Sequence, residues 1–305
     1  MVFFSVIINC HNAGEFLSDA VDSVLGQTFS DYEIIIYDNA STDDTAKIAA
    51  KYGERVAYHY SERKLKLGTA RNQAIQHASG KYLAFLDSDD VWIENKLEKQ
   101  YFKIACTEEP VGLCGCDAMR VDSKLIPIMK YSTGRQIPSA DTISRLVRDC
   151  FIPMSSVVVR RDLFLGLGGF NSHFEIIEEW DLWLRAAVAS KLIYLDECLV
   201  NIRFHSNNTS RDYHAQQTEI RIMFSNLSKN LGVSKNIVTP ALAVWELRYN
   251  IVCLINYRKE SPLNILKSIA RISKLLLLRP KASMSLIWPY FSYDLMKFAK
   301  IKYLK

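Results

Sequence analysis

The sequence predicts an α/β fold with a mostly parallel central sheet and a helical C-terminal extension. Three observations carry this. Apolar runs alternate with amphipathic stretches over the first hundred residues, each apolar run ends on polar residues, and strand-like runs vanish beyond about Gln216. Alternation of that kind describes buried parallel strands joined by right-handed helical crossovers. At 305 residues, 49% hydrophobic and 23% charged, the chain is globular, with room for one large domain and an appendage.

The elements follow in order. Phe4 to Ile8 is a buried apolar run, and Glu15 to Gln27 places apolar residues at 16, 17, 20, 21, 24 and 25, a helical stripe. Glu33 to Asp38 is the second strand. Ser41-Thr-Asp-Asp44 starts a helix that continues from Lys47 to Tyr52. Val56 to Tyr60 reads as the third strand, Gly68 to His77 as a helix, Tyr82 to Leu86 as the fourth strand, and about Asn95 to Ala105 as a helix. Further on, Ser155 to Val159 is a short strand and Gly166-Leu-Gly-Gly169 a turn. Glu178 to about Ala189 is a helix, and Leu192 to Leu195 and Leu199 to Phe204 are two strands. The domain boundary is expected near 215, with residues 1–215 catalytic and 216–305 helical and basic.

Seven scattered cysteines, without zinc-site spacing, read as reduced structural thiols. Reduced thiols suit a cytoplasmic compartment, and no signal peptide and no spanning helix are expected. The net charge of +5 is uneven: residues 252–305 hold eleven Lys/Arg against Glu260 and Asp294. Within that tail, Leu263, Ile265, Leu266, Ile269, Ile272, Leu275 and Leu276 form an apolar stripe opposite Lys267, Arg271 and Lys274. Trp288, Tyr290, Phe291, Tyr293 and Phe298 follow, interleaved with lysines. A basic amphipathic helix with aromatics suits the surface of a membrane; the competing reading is a helical cap packed on the catalytic domain. Electrostatics alone would also allow nucleic acid, but no recognition motif supports it.

The chemistry centres on Tyr82-Leu-Ala-Phe-Leu-Asp-Ser-Asp-Asp90, an apolar run ending in three carboxylates. Asp87, Asp89 and Asp90 repel one another unless something neutralises them. A hard divalent cation, Mn²⁺ or Mg²⁺, does so while holding a diphosphate. The bland alternative is that Asp89 or Asp90 caps a helix starting near Trp92, a task that needs only one carboxylate. In open parallel sheets ligands gather beyond the carboxyl ends of the strands, so Asn9-Cys-His-Asn12, Asp38-Asn-Ala-Ser41 and Asp87-Ser-Asp-Asp90 should converge. Neither G-x-G-x-x-G nor G-x-x-x-x-G-K-[ST] occurs, which argues against a dinucleotide dehydrogenase and a P-loop NTPase.

Six segments recur together: Ser5-Val-Ile-Ile-Asn-Cys-His-Asn12, Glu33-Ile-Ile-Ile-Tyr-Asp-Asn-Ala-Ser-Thr-Asp43, Ala70-Arg-Asn72, Phe85-Leu-Asp-Ser-Asp-Asp90, Gly168-Gly-Phe170 and Glu178-Glu-Trp-Asp-Leu-Trp-Leu-Arg185, with Gln27-Thr-Phe between the first two. Over roughly residues 3–210 the chain closely resembles family 2 glycosyltransferases of the GT-A fold. That resemblance implies inverting transfer of a sugar from a nucleotide-diphosphate donor, with Asp87-Ser-Asp89 as the DxD motif.

By the same resemblance Asn9, His11, Asn12, Asp38, Asn39, Arg71, Asp87, Ser88 and Asp89 are nucleotide contacts. His11 would stack on uracil and the Asn39 amide would pair with it. Asp89 would lie near the ribose and Asp90 near the metal, with Asp87 and His205 completing the metal and diphosphate contacts. Glu179 takes the place of the family's catalytic Asp as general base, one methylene longer, and Asp181 is the alternative. Trp180 and Trp183 read as packing.

The expected activity is metal-dependent transfer, from a UDP-sugar in the first instance, to a lipid-linked or surface polysaccharide intermediate at the cytoplasmic membrane face. A non-catalytic nucleotide-sugar-binding subunit of a membrane assembly is the alternative motivated by Asn39, where the family carries a carboxylate, and by Glu179. A nucleotidyltransferase is weaker, for want of a basic Gly-rich loop.

Overall fold

A computed structural model describes residues 2–133, 142–205 and 213–256, with isolated positions at 266, 270 and 273. Most of the tail lies outside the described residues, and the amphipathic-helix and aromatic readings lie there with it. Among the described residues one compact unit takes 2–133 and 150–205, and a second takes 142–149 and 213–256.

The first unit begins with β1 (Phe4–Cys10), α1 (Leu17–Leu25), β2 (Tyr32–Asp38), α2 (Thr45–Ala50), β3 (Ala57–Tyr60), α3 (Leu67–Ile75) and β4 (Tyr82–Asp87). These strands are parallel and lie in the order β3-β2-β1-β4. Nearly every residue of β1 and β4 is buried, since helices cover both faces. α1 contributes Leu17, Ala20, Val21 and Val24 to one of those faces. Near the amino ends of β1 and β4 the chain packs too tightly for any side chain at Gly80. A Cβ there would lie 2.5 Å from the Ser5 nitrogen and 2.7 Å from the Phe4 carbonyl carbon. Gly80→Ala should therefore cost about 1–3 kcal/mol. At roughly 2–4 °C per kcal/mol for a domain of this size, a thermal melt within a degree of wild type would contradict that packing.

Next come β5 (Val91–Trp92), α4 (Lys96–Ala105), β6 (Val111–Val121), β7 (Pro127–Lys130), β8 (Val158–Arg160), α6 (Arg161–Gly166), α7 (Glu178–Ala189) and β9 (Lys191–Arg203). The helix α5 (Thr142–Arg148), between β7 and β8, belongs to the second unit. The sheet continues from β4 through β8, β6 and β9 to β5, with β7 beside β6. β8 runs antiparallel to both β4 and β6, so the parallel order belongs to the first four strands and to the β6–β9 pair. Only Ser88, Asp89 and Asp90 separate β4 from β5, a reach of at most about 14 Å. In a flat sheet four strand spacings would set them about 19 Å apart. The sheet must curl, and the curl brings the acidic turn after β4 against the end of β9.

Three differences from the sequence reading have physical causes. β6 was not legible as a strand: Gly112 and Gly115 interrupt it because Ser190 and Ile152 pack where their Cβ atoms would be. The two strands expected at 192–204 are one, β9, whose polar middle at Asp196-Glu197 lies at irregularities in its register with β6. Val91 and Trp92 pair with β9 instead of starting a helix, which removes the cap reading of Asp89 and Asp90. In the second unit, α8 (Tyr213–Asn230) and α9 (Lys235–Asn256) pack together, and the Trp245 Nε1–H donates to the Arg148 carbonyl of α5 at 3.0 Å.

Candidate active site

The ends of β2, β1 and β4 lie side by side, with Cys10 opposite Asp38 and Asn9 opposite Asp87. The loops after β1 and β2 lock together. Asn12, in the left-handed region at φ 53°, donates its N–H to Ser41 Oγ and accepts from the Thr42 N–H, both at 2.8 Å. Gly14 and Ala13 donate to Asp43 and Thr45, each at 2.9 Å. His11 Nδ1 lies 2.9 Å from the Asn39 carbonyl. A carbonyl only accepts, so that nitrogen carries the proton and the ring plane is fixed. Asn9 Oδ1 is buried at this edge with no hydrogen-bond partner among the described residues.

Two expected nucleotide contacts are engaged by the protein itself. Asp38, fully buried, accepts from the Ser41 N–H at 2.8 Å and the Tyr58 hydroxyl at 2.7 Å. The Asn39 amide spans the backbone of Leu65, donating to its carbonyl at 2.9 Å and accepting from its N–H at 2.8 Å. Asn39 thus ties the segment before α3 to the end of β2, and only its second N–H and second lone pair remain.

Behind β4, Asp87 to Asp90 form a turn closed by the Asp90 N–H on the Asp87 carbonyl at 3.0 Å. The three carboxylates take different places. Asp87 is partly exposed and accepts from Arg71 at 2.7 Å. Asp89 faces His205, with Oδ2 and Nε2 2.9 Å apart. Half-buried Ser88 separates them. Asp90 is 4% exposed, accepting from Ser155 Oγ at 2.5 Å and from the Arg203 N–H at 2.9 Å. Both oxygens of Asp90, expected as a metal ligand, are thus engaged by the protein itself. Burial, then Asp89 and Asp87, push its carboxyl well above the usual range, and burial with Asp87 raises Asp89 against the pull of His205.

Arg71 lies on α3, buried under the ring of Phe170. One guanidinium nitrogen donates to Asp87 at 2.7 Å and another to Glu178 at 2.8 Å. Burial disfavours its charge, but Asp87, Glu178 and Glu179 outweigh burial and hold the proton more firmly than usual. The next residue, Asn72, clasps the backbone of Phe170 with both ends of its amide, at 2.8 and 2.9 Å. Gly169, at φ 70°, has no room for a Cβ against Asn72 Oδ1. The Ala70-Arg-Asn72, Gly168-Gly-Phe170 and Glu178-Glu179 motifs are thereby one packed body.

On α7 the three acids divide as sharply. Glu178 is the buried partner of Arg71. Asp181 pairs with Arg185 at 2.7 Å, and Arg185 also donates to the carbonyls of Leu167 and Gly169. Asp181, the alternative base of the sequence reading, is thus engaged by the arginine that also holds the glycine turn. Glu179 is half-buried and has no hydrogen-bond partner among the described residues. Burial and Glu178 raise its carboxyl to about 8 despite Arg71. Trp183 packs on Phe85 and Phe170, and Trp180 is buried.

Among the described residues no group of three or more His, Cys, Asp or Glu side chains gathers as a metal site. The Asp89–His205 pair nevertheless fits a divalent ion. Asp89 Oδ2 and His205 Nε2, hydrogen-bonded at 2.9 Å, are oxygen and nitrogen donors that would hold the ion together once the proton between them is released. A carboxylate and an imidazole leave the remaining positions to water and phosphate oxygens. Ser155 and the fourfold contacts of Arg203 were missed in the sequence, because a serine before an apolar run carries no local signal.

A family model described as Glycosyl transferase family 2 matches residues 5–142. A Bacillus subtilis protein named for teichuronic acid biosynthesis, the glycosyltransferase TuaG, is 46% identical over 210 residues, spanning 68% of this chain and 81% of TuaG. The UDP-Glc:alpha-D-GlcNAc-diphosphoundecaprenol beta-1,3-glucosyltransferase WfgD of Escherichia coli is 32% identical over 181 residues, spanning 59% of this chain and 68% of WfgD. Among solved structures, the mannosyltransferase PcManGT of Pyrobaculum calidifontis, in complex with GDP-Man and Mn²⁺, shares the fold. Its TM-score is 0.62 at 17% identity, over 97% of this chain and 86% of that one.

Proposed function

This chain belongs to glycosyl transferase family 2, and we propose that it transfers a sugar from a UDP-sugar, with inversion, to a hydroxyl of a lipid-linked or surface polysaccharide intermediate. The observation that carries the reading is the position of Glu179. A carboxyl without a hydrogen-bond partner among the described residues follows directly on Glu178, which shares Arg71 with the donor-side Asp87. The diphosphate lies at the turn after β4, and the nucleoside lies over the ends of β1 and β2 beside His11 and Asn9. WfgD's donor and diphosphoundecaprenol-linked acceptor support the substrate class.

Glu179 takes the proton of the acceptor hydroxyl as that oxygen bonds to the anomeric carbon. The sugar–phosphate bond breaks on the opposite face, and its electron pair leaves with the nucleoside diphosphate. Asp89 and His205 would hold a divalent cation, Mn²⁺ or Mg²⁺, which when bound offsets negative charge on the diphosphate. Arg71 keeps the turn and the base helix in one frame, which matters because small misplacements are costly in rate.

The test is a panel of UDP- and GDP-sugars with undecaprenyl-diphosphate-linked saccharides, with and without Mn²⁺ or Mg²⁺. The expected result is UDP release and an anomerically inverted product only with the cation. Preference for a GDP-sugar would overturn the donor class. No turnover of any donor, with nucleotide still bound, would leave a binding subunit.

We further propose that the basic tail docks the enzyme on an anionic membrane surface. No described helix is long and apolar enough to cross one. The 305-residue chain should sediment with phosphatidylglycerol-containing vesicles at low salt, and much less at roughly 0.5 M salt, where screening shortens to a few ångströms. Equal partition onto neutral vesicles would remove the electrostatic part of this proposal.

A further inference from the structure

We propose that Arg203 and Ser155 are positioning residues for the Asp89–His205 pair, acting on it through the buried Asp90 carboxylate. The inference rests on the reading of that pair as a cation–diphosphate clamp. Asp89 and His205 come from segments far apart in sequence, and their 2.9 Å approach needs something that fixes both backbones.

Arg203, 3% exposed, ties four segments together. Its main-chain N–H donates to Asp90 Oδ1 at 2.9 Å, and Nε donates to the Asp89 carbonyl at 2.8 Å. Its two terminal nitrogens reach the Ser123 carbonyl at 2.5 Å and Asp19 Oδ2 at 2.7 Å. The guanidinium lies 4.4 Å from the ring centre of Phe16, and the His205 ring lies 5.2 Å from the same ring. One side chain therefore sets the acidic turn against the end of β9, and His205 follows two residues later. A lysine could not reproduce this, since a single ammonium lacks the planar fork that serves several acceptors at once.

Ser155, 1% exposed, closes the other side. Its hydroxyl donates to Asp90 Oδ2 at 2.5 Å and accepts from the Asp87 N–H at 3.0 Å. Its carbonyl accepts from the buried Trp92 Nε1–H at 2.7 Å. Asp90 is thus gripped at both oxygens, one from the β8 side and one from β9. Partners that orient ligand-bearing segments in this way typically govern metal affinity.

The experiment is an equilibrium Mn²⁺ titration followed by electron paramagnetic resonance. It uses the full chain with saturating UDP, for wild type, Arg203→Lys, Ser155→Ala and Ser155→Thr. Melting temperature and metal-free UDP binding are measured beside it. The expected result is Mn²⁺ affinity about 10-fold weaker or more in Arg203→Lys and Ser155→Ala. Ser155→Thr, which keeps the hydroxyl, should restore it, and metal-free UDP binding should not change. Should Arg203→Lys fail to fold, Ser155→Ala decides. Wild-type Mn²⁺ affinity in a folded Ser155→Ala protein would overturn the inference, as would equal weakening of metal-free UDP binding. Absence of Mn²⁺ binding by the wild type would instead strike at the proposed function itself.

Discussion

Glu179→Gln should lower kcat by about 10²–10⁴-fold, the usual worth of a positioned general base, while leaving UDP-sugar affinity within a few-fold of wild type. The amide fills the same volume and accepts a hydrogen bond but takes no proton. Neighbouring acids cannot substitute. Glu178 is committed to Arg71, and Asp181 to Arg185. Glu179→Asp keeps a carboxylate but withdraws it by one methylene, so its rate should fall between the two. Single-turnover product formation and calorimetric donor binding separate these effects. A Gln variant with wild-type turnover would remove Glu179 from the chemistry.

The pH dependence follows from the same environment. The Glu179 carboxyl is raised from 4.5 to about 8 by burial, with Glu178 adding to it. The proposed base is therefore protonated in much of the free protein at pH 7. kcat/KM, which reports the free enzyme, should climb with pH to a plateau above about 8. The stability effect has the opposite direction. Between 4.5 and 8 the folded state holds this proton more tightly than the unfolded chain, so raising the pH through that window costs stability. Glu179→Gln removes that cost. It should melt higher than wild type at pH 9 and alongside it at pH 4.5.

The fold was legible wherever burial is local and uniform. β1, β2 and β4 are apolar runs because helices cover both faces, and α1 shows its stripe because one face meets the sheet. β6 was illegible because neighbours from distant segments, Ser190 and Ile152, impose its glycines. Ser155 to Val159 reads as one strand, yet residues 154–156 form a single 3₁₀ turn that delivers the Ser155 hydroxyl to Asp90. The site shows the same limit. The sequence located its carboxylates but could not rank them. Asp89 and Asp90 are neighbours of one residue type, and only Ser155 and Arg203, more than sixty residues away, make one a brace. Glu179 and Asp181 differ in the same way, through Arg185. Roles set by partners at long range leave no trace in spacing.

The second large effect is expected at Arg71. Arg71→Met should destabilise the protein by about 3–5 kcal/mol, because it removes the guanidinium that faces the buried Glu178 carboxylate. Both side chains of that pair are 4% exposed, so water cannot replace the lost partner. Asp87 suffers less, being partly open to solvent. At roughly 2–4 °C per kcal/mol, the melting temperature should fall by about 6–20 °C. Glu178→Gln alone removes the other charge and leaves Arg71 with Asp87, a milder loss. The double variant Arg71→Met/Glu178→Met replaces the pair with apolar side chains. It should recover much of the stability, since removing both charges also removes the desolvation penalty. It should not recover activity, because the guanidinium that bridges Asp87 and Glu178, next to Glu179, is gone. Arg71→Lys makes the same distinction from another side. One ammonium can serve Asp87 or Glu178 but lacks the fork that reaches both, so it should keep more stability than rate. An Arg71→Met protein within 1 kcal/mol of wild type by urea denaturation, or a double variant with wild-type turnover, would show that donor edge and base helix hold their places without this arginine.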